Sequence, residues 1–179
     1  MTRVRRLVRS LARVDGAEIA EAALVLPLVF MLLLGIVWFG RAFNIYSTIQ
    51  QAAQQGAIFA ARGTCATCGN DFPTNFEVRK AVDAVMQASN LDPNQIKSSP
   101  NPNLLRCPAA LASDGCVEVS KIWVCRNVEL NPAAGPPLQT PQCGSVVRFQ
   151  YPFQFYLPFT SLNNQQITLT GNAASRMEN

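Results

Sequence analysis

Residues 15–41 read DGAEIAEAALVLPLVFMLLLGIVWFGR, and this stretch decides the architecture. Between Glu21 and Arg41 lie nineteen residues without a charge, mostly Leu, Val, Ile, Phe and Ala. At the helical rise such a run spans about 28 Å, close to the roughly 30 Å hydrocarbon thickness of a bilayer. It therefore reads as a transmembrane helix over about residues 22–40. Pro27 lies inside it and removes one helical N–H, a defect that membrane helices tolerate. Glu18 and Glu21 sit at the front edge of the span, where an ionised side chain is costly and tends to mark function.

Outward from the span, charge divides the chain. Five arginines (Arg3, Arg5, Arg6, Arg9 and Arg13) precede it, whereas residues 42–179 carry nine basic and eight acidic side chains. The net charge of +4 thus belongs to the leader, and the near-neutral remainder argues against nucleic acid as a partner. Arginines ahead of the span predict a cytoplasmic N-terminus and an exported C-terminal domain. A cleaved secretory signal fits less well. The apolar run exceeds the usual h-region, and it ends in Trp38-Phe39-Gly40-Arg41 without a small-x-small site.

The helix is predicted to continue past the membrane to about residue 62. Ala42, Ile45, Ile49, Ala52, Gly56 and Phe59 recur at alternating spacings of three and four, forming one narrow stripe. Asn44, Ser47, Gln50, Gln51, Gln54 and Gln55 occupy the other side. Gly63 and a turn around Cys65–Gly69 are expected to end it.

A short amphipathic helix follows over Thr74–Ala88, with Val78, Ala81, Val82, Val85 and Met86 on one face. Thr74 and Glu77 have capping-box spacing, and Asn90-Leu91-Asp92-Pro93 is a stop. Residues 98–115 read as loop. Val117–Val128 is rich in β-branched residues, and its alternation slips at Ser120–Ile122, which reads as a bulge. After a Pro/Gly loop at Asn131–Gly144, Val147, Phe149, Tyr151, Phe153 and Phe155 alternate with polar residues, an aromatic strand face. Pro152 places that strand at an edge or bulge. A last strand runs from Gln166 to Thr170 and on toward Arg176. The expected class is α+β: a long N-terminal transmembrane helix continuing into an exported domain, a short second helix, and a small antiparallel sheet of three to four strands. The aromatic face is predicted to pack as core under the stripe of the long helix. The boundaries are a basic leader at 1–16, the helix at 17–62 and the exported domain at 63–179.

All six cysteines (Cys65, Cys68, Cys107, Cys116, Cys125 and Cys143) follow the span, as disulfides in an oxidising compartment require. Sequential pairing is the preferred expectation: Cys65–Cys68, Cys107–Cys116 and Cys125–Cys143. The C-x-x-C at Cys65–Cys68 also admits redox and metal readings. It follows a helix and enters a glycine turn, the wrong setting for a thioredoxin-like dithiol, and no second close pair completes a zinc site. The chain has no histidine, which removes the commonest general base, and it has no glycine-rich phosphate loop. No catalytic residue, metal ligand or cofactor is therefore assigned, and the chain is not read as an enzyme.

The two glutamates also have structural readings. Asp15-Gly16-Ala17-Glu18 has capping-box spacing, which accounts for Glu18 if the helix starts there. Glu21 lies one turn deeper, and on physical grounds its structural and functional readings stand level.

The order of basic leader, Gly16, Glu21 and apolar helix resembles the class III signal of type IV pilin-like proteins. More specifically, GAEIAEAALVLPLVFMLLLGIVWFGRAF looks like the TadE/TadG-type segment, and Gly-Asn-Ala-Ala-Ser-Arg-Met-Glu at 171–178 resembles that family's closing strand. The family usually has an aromatic residue after the glutamate; here Ala22 stands there. The resemblance implies a pilin-like fold and leader cleavage by a prepilin peptidase between Gly16 and Ala17. It also implies an assembly role for Glu21. The implied function is that of a minor pilin-like (pseudopilin) component of a tight-adherence (Tad/Flp) pilus assembly or secretion apparatus in the bacterial inner membrane. Its partners would be the membrane, other pilin-like subunits and Tad inner-membrane machinery. An unprocessed single-span protein whose exported domain scaffolds or binds an envelope partner is the alternative, and a redox-active exported domain is the third reading.

Overall fold

The structure, a computed structural model, describes residues 2–62, 72–108, 115–131, 142–154 and 166–176, with the backbone alone for 2–15 and 17. The chain divides into two compact units, Met1–Arg41 and Ala42–Asn179. Cys65, Cys68, Phe155 and the turn at 65–69 lie outside the described residues, so the expected Cys65–Cys68 bridge does too.

Helix α1 spans Thr2–Ala61, 60 residues with Pro27 inside. It starts well before residue 17, so Asp15 and Glu18 are interior positions and the capping box expected there does not form. The physical reason is local. Met1–Val14 contains no proline or glycine, and the single Gly16 costs only about 1 kcal/mol relative to alanine, too little to stop a propagating helix.

Within the second unit, helix α2 (Asn75–Ala88) begins as its sequence predicts. The Thr74 hydroxyl accepts from the Glu77 amide at 3.3 Å, and the Glu77 carboxylate accepts from the Thr74 amide at 2.7 Å. At the other end the amides of Asn90 and Leu91 donate to the carbonyls of Gln87 and Met86. Asn90 takes φ 57°, so this is a Schellman stop with asparagine in the left-handed position. A short 3-10 turn at Pro93–Gln95 follows, capped by Asp92.

Four strands complete the fold: β1 (Gly115–Val119), β2 (Ile122–Glu129), β3 (Cys143–Gln154) and β4 (Gln166–Arg176). They form one antiparallel meander in the order β1-β2-β3-β4. The slip at Ser120–Ile122 is a hairpin turn rather than a bulge. Val119 pairs with Ile122, and both intervening residues, Ser120 and Lys121, have positive φ, the type I′ geometry that matches strand twist. Ser-Lys carries no Asn-Gly signature, so the turn is silent in the sequence. The bulge lies further on: between Cys125 and Val128 the register shifts by one residue, with Asn127 at φ 49°.

Pro152 sits in the third strand, which is central, yet at a point where one side is open. Strand β2 pairs no further along β3 than Arg148, after which Lys97 exchanges backbone hydrogen bonds with Gln150. Two residues beyond Gln150, Pro152 would aim its N–H toward that same side, past the last rung, so its missing donor breaks no ladder bond.

The main core joins Ile49, Ala52, Ala53, Ala57 and Ala60 of α1 and Val78, Val82 and Met86 of α2 to Ile122, Val124, Val147, Phe149 and Tyr151 of the sheet. The long helix thus covers the aromatic face, as expected. A smaller cluster on the opposite face contains Cys125, Val128 and Val146, with Leu104, Cys116 and Leu130 against it.

Two disulfides are described, Cys116–Cys125 and Cys107–Cys143, and they replace the sequential pairing of those four cysteines. The hairpin turn explains the difference. It places Cys116 directly opposite Cys125 across β1 and β2, which leaves Cys107 for Cys143. Their sequence separations are 9 and 36. Loop-closure entropy assigns about 2.5 kcal/mol to the shorter and about 4 kcal/mol to the longer. The double variant C107A/C143A should therefore lower the denaturation midpoint of the full chain in detergent further than C116A/C125A does.

At the start of α2, the hydrogen bonds from the Thr74 backbone and hydroxyl, aided by Lys80 and Arg126, hold the Glu77 carboxyl below its usual range. A carboxylate with a depressed folded-state pKa adds stability that is fully present above the unfolded value of 4.5 and is lost as pH falls through the folded value. Comparing unfolding midpoints across that window, Glu77→Gln should flatten the acid limb while Thr74→Ala costs about 1 kcal/mol at neutral pH.

Candidate functional site

The candidate site is helix α1 itself, taken in its two parts. In the first unit, Gly16 lies within the helix, and the space a Cβ would occupy there is open. Glu18 and Glu21 follow at helical spacing of three, so both lie toward one side, and both are exposed. Neither makes a hydrogen bond or ion pair to a described residue. Leu24, Leu28 and Leu32 continue the side that Glu21 begins, and with Pro27 and Met31 they line a shallow apolar groove. Among the described residues one helix, Glu18–Ala61, is long and apolar enough to cross a membrane. The side chains from Leu24 to Leu33 are all exposed, as those of a lipid-facing segment are.

Chemically, the arrangement offers two carboxylates, neither paired with a described residue, at the N-terminal margin of an apolar rod. With Asp15 and Glu18 inside the helix, the capping explanation of Glu18 is withdrawn. Glu21, the deeper of the two, lies directly against the uncharged run. Gly16 and Ala17 are consecutive residues of continuous helix, so a protease acting between them must first unwind that turn. Gly16 is the residue that makes unwinding easiest.

In the second unit α1 docks on the sheet through small side chains. Ile49, Ala52, Ala53, Gly56, Ala57 and Ala60 are buried, whereas Phe59 is 38 % exposed. The expected stripe ended on Phe59 because alternating three and four advances 3.5 residues per turn. A straight helix repeats every 3.6 and drifts off that line, so Ala60 takes the buried place. A Cβ on Gly56 would stand 2.7 Å from Val82 of α2, and one on Gly171 would stand 2.9 Å from the Ile49 carbonyl oxygen. At Gly171 the backbones of α1 and β4 meet with no side chain between them.

Two side chains that tie this unit together do not stand out in the sequence. Gln50, assigned to the polar side, is half-buried. Its amide donates to the Thr170 carbonyl at 3.1 Å and its carbonyl accepts from the Asn172 amide at 3.3 Å, so it satisfies the outer edge of β4 on either side of Gly171. Arg79 is buried on α2. It pairs with Asp83 at 2.7 Å, donates to the Pro93 carbonyl at 3.2 Å and to the Ser120 carbonyl, and so ties α2 and the 3-10 turn to the β1–β2 hairpin. Its i, i+4 spacing to Asp83 was the available signal. No group of His, Cys, Asp or Glu that could hold a metal occurs among the described residues.

Residues 16–57 match the family model described as TadE-like protein. The match begins at Gly16, covers both glutamates and the apolar run, and ends within the stripe that docks on the sheet. No curated protein and no solved structure matches the chain. The chain therefore carries a TadE-like segment, and that segment coincides with most of α1.

The dock gives a direct test. Gly171→Ala puts a methyl against backbone that cannot yield, whereas Gly56→Ala meets only side chains, those of Val82 and Val147. Overpacking of this kind costs about 1–3 kcal/mol, so both should lower the thermal midpoint in detergent, Gly171→Ala the more.

Proposed function

We propose that this protein is a minor pilin-like, or pseudopilin, membrane-anchored component of a tight-adherence (Tad/Flp) pilus assembly or secretion apparatus. The observation that carries the reading is the TadE-like match over 16–57, which falls on the helix that holds Gly16 and Glu21 and then docks on the sheet. On this reading the chain sits in the bacterial inner membrane as a single-pass protein, its arginine-rich end cytoplasmic and its sheet exported. A prepilin peptidase removes residues 1–16. The new Ala17 amine, with the ordinary pKa of an α-amino group, carries most of a positive charge near neutrality.

Glu21 then has a physical task. Among packed apolar helices an unpaired carboxylate is expensive, and the nearest cation of matching depth is the Ala17 amine of a neighbouring pilin-like subunit. Pairing the two fixes the axial register of packing. Glu18, one turn nearer the aqueous edge, is under less constraint. The exported domain contributes a surface rather than a reaction, and its partners are other subunits and the inner-membrane machinery.

The experiment is N-terminal sequencing of the membrane-bound form, joined to piliation of glutamate variants. A start at Ala17 supports processing, and an intact leader beside an active peptidase reduces the protein to an unprocessed anchor with an exported scaffolding domain. Glu21→Ala should insert normally yet assemble far fewer pili, while Glu18→Ala should assemble near normal levels. Normal piliation in Glu21→Ala removes the register role.

A further inference from the structure

Seven residues beyond the centre of the apolar run, the Arg41 guanidinium lies over the ring of Trp38, 5.6 Å from its centroid. The run from Ala22 to Gly40 is centred on Met31, ten residues from both Glu21 and Arg41. Each charge therefore stands about 15 Å from the midplane of a span centred there, the edge of the hydrocarbon, and Trp38 stands about 10 Å from it. Phe39 beside it is 75 % exposed. The stacking contact holds the guanidinium beside the Trp38 ring at the outer margin of the span.

We propose that Trp38 and Arg41 form a phospholipid headgroup site that fixes how deeply α1 sits in the outer leaflet, the ligand being the headgroup phosphate. Arg41 is exposed and donates to no acceptor among the described residues, so its planar fork of N–H donors is available. That fork matches a phosphate in bidentate fashion, and the indole face behind it screens the cation from the hydrocarbon. Indole itself favours this depth, with an apolar body in the acyl region and a polar N–H toward the headgroups. Charge complementarity and continuity with the apolar run select lipid as the occupant. The proposal rests on the reading of α1 as a membrane span.

The test uses the full chain in vesicles of phosphatidylethanolamine and phosphatidylglycerol. The chain has two tryptophans, Trp38 and Trp123, and Trp38→Phe supplies the Trp123 signal to subtract. Spin-labelled lipids carrying the nitroxide near the headgroup should quench Trp38 more strongly than those labelled near the bilayer centre. Arg41→Gln should abolish that preference while the protein still floats with the vesicles. Stronger quenching by the central label, or an Arg41→Gln profile identical to the parent, overturns the headgroup site and leaves the span intact. Failure of the parent chain to float with vesicles overturns both.

Discussion

The fold depends on how closely one helix can approach one strand. At Gly171 the Ile49 carbonyl of α1 stands where a side chain would be, and Gln50 closes the hydrogen bonds of β4 on either side of it. A sheet edge ordinarily exposes a row of unpaired amides and carbonyls that can recruit foreign strands. Here the helix that covers the core also occupies part of that edge. The small residues Ala52, Ala53, Gly56, Ala57 and Ala60 make the approach sterically open, and Phe149 and Tyr151 fill the space beneath. Larger side chains along that stripe would bury more apolar area each, yet they would lift the helix and strand the polar backbone at 170 and 172.

Elsewhere in the domain, polar and covalent ties add to the apolar packing. Arg79 reaches the Pro93 and Ser120 carbonyls and the Asp83 carboxylate, so three separate segments converge on one guanidinium. It lies at the surface of the core, where a charge with several hydrogen-bond partners avoids the penalty of an isolated buried ion. On the far face, the segment before β1 passes over the sheet with Trp123 donating to the Ser99 carbonyl at 2.7 Å and with Cys107 bridged to Cys143. A domain of this size has a limited core, and such ties compensate for it.

Much of this was legible in the sequence, for identifiable reasons. The apolar run, the Thr74–Glu77 cap, the Asn90 stop and the β3 aromatic alternation each depend on local spacing, and local spacing is what a sequence displays. The misreadings came from features that spacing conceals. The Ser120–Lys121 turn carries neither glycine nor asparagine, so one hairpin looked like one bulged strand, and the cysteine pairing followed it into error. The start of α1 was misplaced because Asp15-Gly16-Ala17-Glu18 has the form of a cap, whereas the helix-favouring leader carries the helix through it. Gln50 looked like a solvated glutamine because its acceptor and donor lie some 120 residues away in β4. Gly16 and Glu21 stand out in the sequence as a pattern, whereas the closeness of the dock depends on contacts between residues some 120 positions apart.

The cysteine connectivity carries a consequence for biogenesis. On the proposed topology the residues after the span emerge in sequence order, Cys65 and Cys68 ahead of Cys107, Cys116, Cys125 and Cys143. Of the four whose bridges are described, Cys107 and Cys116 come first, and they are not partners in the folded protein. Vectorial oxidation by simple proximity thus leads toward a wrong bridge, and Cys107 must wait until the chain has emerged as far as β3. Correct maturation then requires either that the β1–β2 hairpin captures Cys116 first or that a thiol–disulfide isomerase reopens the early pair. On that topology the order in which the cysteines emerge differs from the order in which they pair, and early closure of the β1–β2 hairpin is what reconciles the two.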